Sequence, residues 1–167
     1  MARLSNLLTF HVDEQLYALP VECVVQIVSM VTITPIPQAS SIAEGIINVH
    51  GEAVPVVNLR DHLSKPRCRY EFHTPIVLIQ MKAHLVGLIV DRVNDVVGLQ
   101  ATDIVHPTDM LPDELHNIPI LNGVAYTPEG VVLILDPEQL FNPDQIQALA
   151  MASIYLNEKI TSAKVEA

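Results

Sequence analysis

Short apolar runs separated by turn-forming residues fill most of the chain. The runs at 7–12, 16–19, 24–30, 45–50, 53–59, 76–81, 85–90, 93–99, 120–126 and 131–135 consist mainly of Val, Ile and Leu. β-Branched side chains are stiff at χ1 and suit a pleated, half-buried surface, so these runs predict strands. Asp13-Glu14, Gly51-Glu52, Lys82-Ala83 and Glu129-Gly130 each separate two runs and predict tight hairpins. Pro35, Pro37, Pro66, Pro107 and Pro112 fall between runs, where a missing N–H does no harm.

The end of the chain follows a different pattern. Asn142 can cap a helix, Pro143 suits its first position, and Asp144 suits the positive end of the helix dipole. Ile146, Leu149, Ile154 and Leu156 come near helical spacing and predict a packing stripe. A helix over 142–158 is expected, followed at 159–167 by a small, polar tail that frays.

The apolar pattern also repeats. Residues 16–24 (Leu-Tyr-Ala-Leu-Pro-Val-Glu-Cys-Val) resemble residues 85–93 (Leu-Val-Gly-Leu-Ile-Val-Asp-Arg-Val), an offset of 69 (85 − 16). The match continues from Gln26-Ile27-Val28 to Asp95-Val96-Val97. Gly45-Ile46-Ile47 then matches Gly123-Val124-Ala125, and residues 54–58 match 132–136, at an offset of 78 (123 − 45). The larger offset places an insertion within 100–117. Val and Leu matches alone would mean little. The paired acids Glu22 and Asp91, the small residues Ala18 and Gly87, and the glycines Gly45 and Gly123 make the repeat specific. It predicts an all-β fold of two similar β-barrel subdomains, about five strands each, packed together.

Composition narrows the function. The chain has 167 residues, half of them hydrophobic, which suits one domain or two tightly joined halves around a substantial core. Nine basic residues in a chain of net charge -10 argue against a surface that tracks nucleic-acid phosphates. The N-terminal residues lack a signal peptide's apolar stretch, and no apolar run approaches the ~20 residues of a membrane helix. Cys23 and Cys68 form no CxxC pair, and Cys23, among valines, reads as a small buried hydrophobe. A soluble protein of a reducing, cytoplasmic compartment, without membrane insertion, is expected.

No catalytic pattern emerges. The seven histidines, His11, His50, His62, His73, His84, His106 and His116, include no two at three to five residues' spacing, so scattered surface positions are expected rather than metal ligands. There is no HExxH, GxSxG, P-loop or GxGxxG signature. Asp91, Asp95, Asp103, Asp109, Asp113 and Glu114 fall mostly at turns and loop starts, where Asp is expected for local reasons. No enzyme activity, metal or cofactor is therefore expected. An interaction module needs only a shaped apolar surface with polar anchors.

An ordered set of segments resembles the CheW-like family. These are Phe10-x-Val12, Tyr17-Ala18-Leu19-Pro20-Val21-Glu22-x-Val24, and Thr34-Pro35-Ile36-Pro37. Next come Gly45-Ile46-Ile47-Asn48-Val49-His50-Gly51 and Val54-Pro55-Val56-Val57-Asn58-Leu59-Arg60. Val86-Gly87-Leu88-Ile89-Val90-Asp91-x-Val93-x-Asp95-Val96 follows, and then the run 131–136 with Glu138 and Leu140. The resemblance spans nearly the whole chain. It implies one domain over 7–141, made of two intertwined barrels, that acts as an adaptor between chemoreceptors and a CheA-type histidine kinase.

By that resemblance, one surface around Val21, Val24, Gln26, Ile27, Gly45, Ile47, Asn48 and His50 would bind a receptor's cytoplasmic tip. Apolar strand residues such as Val21, Val24 and Ile27 are equally expected in the core. A barrel end would meet the kinase's regulatory domain, and similar barrels meeting end to end would allow weak self-association. Arg60 reads as structural, its fork bridging loops. Three positions depart from the family pattern: His50 replaces the usual Arg, while Asn58 and Gln26 replace usual acids. Guanidinium is always charged, whereas imidazole titrates near neutral pH. Two readings follow: drift with an unaltered task, or an altered partner set such as a pilus-control system. A kinase scaffold without receptor binding, and a small β-barrel ligand-binding protein or enzyme, are the remaining alternatives.

Overall fold

The computed structural model describes residues 4–36, 42–106 and 120–166, with the last helix beyond Ile154 traced by its backbone apart from Asn157. Pro37, Pro107, Pro112, Asp109, Asp113, Glu114, His116 and the Leu156 side chain lie outside the described residues.

All ten expected strands form. They are β1 (Leu4–Val12), β2 (Gln15–Pro20), β3 (Val24–Ser29), β4 (Gly45–Val49), β5 (Glu52–Asn58), β6 (Pro75–Met81), β7 (His84–Ile89) and β8 (Arg92–Gln100), followed after the two-residue β9 (Ile104–Val105) by β10 (Leu121–Thr127) and β11 (Gly130–Leu135). One sheet runs β8-β1-β2-β11-β10-β9 and the other β3-β6-β7-β5-β4. Leu59, expected to end a strand, instead starts a single helical turn, α1 (Leu59–His62), because the Asn58 side chain caps it.

The repeat is visible in the pairing. Exchanging β1 with β6, β2 with β7, β3 with β8, β4 with β10 and β5 with β11 turns one strand order into the other. The register agrees residue by residue. Parallel β5–β7 pairs Val56 with Gly87, and parallel β11–β2 pairs Ile134 with Ala18. Antiparallel β3–β6 pairs Ile27 with Val77, and β1–β8 pairs Val96 with Leu8. The halves are therefore interleaved: each sheet takes two strands from one half and three from the other, and the short β9 adds a sixth strand to the first sheet. β9 pairs with β10 as Thr34 bridges to Ile46 of β4.

Alternating side chains divide the interior into three cores. Leu8, Phe10, Val12, Tyr17 and Leu19 of one sheet meet Val77, Ile79, Met81, Val86 and Leu88 of the other in a shared central core. Each sheet also curls around its own smaller cluster, one with Leu7, Leu16, Ala18, Val132 and Ile134, the other with Ile76, Val54, Val56 and Ile47. Through the same two offsets Leu7 answers Ile76, Val132 answers Val54, and Ile134 answers Val56.

Helix α2 (Pro143–Glu166) is longer than the expected 142–158; residues 159–166 continue it, with no Gly or Pro to stop it. Asn142 and Gln145 cap its start reciprocally, each side chain accepting the other's backbone N–H. The expected stripe is corrected in part. Leu149 is buried and Ile146 half-buried, but Ile154 is 55% exposed. Five positions beyond Leu149, it points about 140° away, and Ser153 faces the sheet instead. The Ser153 hydroxyl donates to Ala53 O (3.2 Å), and Ala53 N–H donates to Asn157 Oδ1 (2.9 Å). The helix thus satisfies the stretch of β5 that β7 does not reach.

Candidate functional site

β3 and β8 are equivalent strands, and each ends a sheet. An edge strand leaves backbone donors and acceptors free along one side, which suits it to contact with another chain. Both begin at the central core, where Val24 and Val93 pack, and both then turn apolar side chains to solvent. Ile27 is 42% exposed and its counterpart Val96 52%; Val25 is also exposed on β3. A bulge between Val24 and Gln26 breaks the alternation, so Val25, Gln26 and Ile27 are exposed in succession.

The structure divides the residues singled out from the sequence. Gln26 and Ile27 lie on exposed β3. Val21 and Val24 are half-buried against the central core. Gly45 and Ile47 are buried and offer no contact surface. Ile47 packs in its barrel's inner cluster. A Cβ on Gly45 would stand 2.5 Å from Thr34 O, so Gly45 permits the close bridge between Thr34 and β4. Strand alternation explains the split: Gly45 and Ile47 face inward, while Asn48 comes out at the hairpin.

Asn48 and His50 are exposed at the β4–β5 hairpin. Its central residues are His50 and Gly51, one position earlier than expected, since Val49 still pairs with Glu52. Both have positive φ (50° and 85°), the requirement of a type I′ turn, and Asn48 Oδ1 accepts from Gly51 N–H (2.8 Å). His50 stands at the turn's tip. Val25, Val96 and the whole β8 edge went unassigned in the sequence reading, although the 69-residue offset from Ile27 leads directly to Val96.

Arg60 lies in a corner where three connections meet. Its Nε and Nη2 donate to the two Asp91 carboxylate oxygens (2.8 and 2.6 Å), Nη1 donates to Pro66 O (2.8 Å), and Asp13 stands 3.7 Å away. Asp91 also accepts from Asp13 N–H (2.6 Å). The hydrogen bond to Asp91, foremost, raises the Arg60 guanidinium pKa above its ordinary value. Asn58, one of the departures from the family pattern, is only 3% exposed and has no open contact surface. Its Oδ1 accepts from Arg60 N–H (2.9 Å), and its Nδ2 donates to Tyr70 Oη (2.7 Å), a bond an Asp carboxylate could not donate. Burial, with Glu44 nearby, pushes the Tyr70 phenol up to about 12.

His11 and His62 are half-buried rather than on the open surface expected for the histidines. His62 contacts Leu140 O at 2.5 Å and packs tilted (48°) against the Phe141 ring, and His11 contacts Asn94 Oδ1 at 2.7 Å. Among the described residues no group of three or more His, Cys, Asp or Glu could hold a metal ion, and no helix is long and apolar enough to cross a membrane. Burial raises the half-buried Cys23 thiol to about 11, with Glu22 adding to the effect, and it donates to Pro20 O (3.1 Å).

Comparison with known proteins agrees with this architecture. The family model described as a CheW-like domain matches residues 6–145. The chain is 28% identical over 153 residues to the chemotaxis protein CheW of Treponema pallidum (strain Nichols), covering 87% of this chain and 86% of that one. It is 29% identical over 143 residues to the chemotaxis protein CheW of Rhizobium meliloti (strain 1021), covering 86% and 91%. Its fold is similar to the crystal structure of the scaffolding protein TtCheW from Thermoanaerobacter tengcongensis, with a TM-score of 0.73, 27% identity, and coverage of 85% of this chain and 94% of that one. With the interleaved barrels, the match across most of its length establishes that the chain belongs to the CheW-like family.

Proposed function

We propose that this chain is a non-catalytic adaptor that couples the cytoplasmic tip of a chemoreceptor to the regulatory domain of a CheA-type histidine kinase. The observation that carries this reading is the pair of equivalent edge strands with Ile27 and Val96 turned outward. The similarity to proteins named for chemotaxis and for scaffolding supports it. The receptor contact centres on Val25, Gln26 and Ile27, with Val21 and Val24 bracing β3, Gly45 and Ile47 shaping the barrel behind it, and Asn48 and His50 on the neighbouring hairpin. Where the family pattern has an acid and an arginine, Gln26 and His50 give this surface a different polar character, suited to a receptor class with altered complementary residues.

Co-sedimentation of the tagged chain with a CheA-type kinase and a receptor cytoplasmic fragment from the same cell tests this. Both should be retained, and Ile27→Glu with Val96→Glu should release the receptor fragment while leaving the kinase bound. Retention of kinase alone by the unmodified chain would favour a scaffold without receptor binding; retention of neither would end the adaptor reading. His50→Ala should weaken receptor binding if His50 anchors the receptor; unchanged affinity discards that role for His50 while leaving the edge-strand contact intact.

A further inference from the structure

The repeat relates the Arg60 corner to a second corner with the same backbone and different charges. Asp91 corresponds to Glu22, Arg60 to Glu138, and Asp13 to Lys82. Asp13 and Lys82 both have positive φ (58° and 54°) in equivalent hairpin turns. Asp136 Oδ1 accepts from Glu138 N–H (3.0 Å) as Asn58 Oδ1 accepts from Arg60 N–H (2.9 Å). The first corner is closed by a guanidinium forked onto a carboxylate. In the second, the residue at the guanidinium's place is itself a carboxylate, so nothing among the described residues answers Glu22 in that way.

The consequence is an open cavity of about 330 Å³. Pro20, Cys23, Met81, Pro137 and Ile146 give it apolar walls, and Glu22, Glu138 and Lys82 stand on its lining. Neither Glu22 nor Glu138 forms an ion pair among the described residues, and both are exposed. Apolar walls with a net negative lining match one side chain closely. Arginine has an apolar stem, and its rigid fork of five donors can serve two carboxylates at once. The chain's net charge of -10 also favours the approach of a basic partner surface.

We propose that the cavity between Glu22 and Glu138 is a docking site for an arginine side chain presented by a partner protein. The incoming guanidinium would take the place that Arg60 fills in the equivalent corner, and its stem would lie against Met81 and Ile146. This site adjoins the start of β3, since Glu22 and Cys23 lie between Val21 and Val24.

The test uses the full-length, ¹⁵N-labelled protein titrated with the tripeptide acetyl-Ala-Arg-Ala-amide, and separately with the same peptide carrying citrulline, which keeps the shape and loses the charge. Saturable shifts are expected at the amides of Glu22, Cys23, Lys82 and Glu138 with the arginine peptide, and at least about tenfold weaker binding with citrulline, because charge-assisted bonds are lost. The double variant Glu22→Gln with Glu138→Gln should remove the preference for arginine. Glu138→Arg should supply the guanidinium from within, raise the melting temperature and abolish peptide binding. Equal binding of the two peptides would make the cavity a merely apolar pocket and overturn the proposal. So would shifts that persist in the double variant or in Glu138→Arg, or no saturable shifts at all. Neither kinase nor receptor is in the assay, so its failure is separable from failure of the adaptor reading.

Discussion

The two corners related by the repeat, Arg60–Asp91 and Glu22–Glu138, share a backbone and diverge in use. In the first, hydrogen-bonded charges tie α1 to the β7–β8 connection and the β1–β2 turn. In the second, like charges at the same two positions leave the space open. Pairing register and the Asx cap after the fifth strand survive in both halves, whereas the residues filling the corner do not. The backbone is therefore held by the cores and ladders, and the corner side chains are free to serve stability in one half and contact in the other.

Four measurements would break or sharpen this contrast. The largest effect is expected from Arg60→Ala. It leaves Asp91, whose side chain is 27% exposed, without its main partner, at a cost of about 2–4 kcal/mol in urea unfolding. Glu138→Ala at the equivalent site should stay within about 0.5 kcal/mol, as exposed substitutions do. Equal losses at both positions would erase the distinction between closed and open corners.

Next comes Gly87→Ala. An added Cβ would stand 2.7 Å from Val56 Cγ1 and 2.9 Å from Ile76 Cγ2, so overpacking should cost about 1–3 kcal/mol. The equivalent strand already carries Ala18 opposite Ile134, so the two barrels are alike in register and unequal in room. An unchanged unfolding midpoint for Gly87→Ala would show that the β5–β7 barrel can relax as its counterpart has.

Asn58→Ala removes a helix cap and strands a half-buried Tyr70 hydroxyl, for about 1–2 kcal/mol. Asp136→Ala, whose carboxylate caps Glu138 N–H without a tyrosine partner, should cost less than about 1 kcal/mol. A reversal of that order would place the stabilising cap in the open corner.

The smallest effect is chemical. Cys23 lines the open corner and Cys68 the closed one. With its thiol raised from 9.0 to about 11, Cys23 has a thiolate fraction about 100-fold lower at neutral pH than an unshifted thiol. Iodoacetamide at pH 7.5 should therefore label exposed Cys68 first, and Cys23 labelling should accelerate as pH rises toward 11. Glu22→Gln should lower the Cys23 pKa slightly and speed its labelling. Mass spectrometry of the two sites would show it, and faster labelling of Cys23 at pH 7.5 would refute the assignment.

Much of this molecule was legible in its residues. The ten strands follow from Val- and Leu-rich runs bounded by turns, and the cap at Asn142 follows from its neighbours Pro143 and Asp144. The two offsets marked equivalent residues that pair in equivalent registers. The two-residue β9 escaped because so short a strand has no period to detect. α1 escaped because Leu59 continues an apolar run, and its helical state depends on the Asn58 cap. The site was harder to read. Val24 and Ile27 look alike in sequence, yet one packs on the core and the other faces solvent. Gly45 and Ile47 were grouped with Asn48 and His50, and alternation sends the first two inward.

The sequence by itself determined the local elements and the twofold likeness of the halves, because strand period, turn chemistry and helix caps act over a few residues. Tertiary structure decided that the halves interleave, that β3 and β8 become edges, and that the Arg60 corner closes while the Glu22 corner stays open. Those outcomes depend on pairings between residues far apart in the chain, such as Val56 with Gly87 and Arg60 with Asp91, which no local signal encodes.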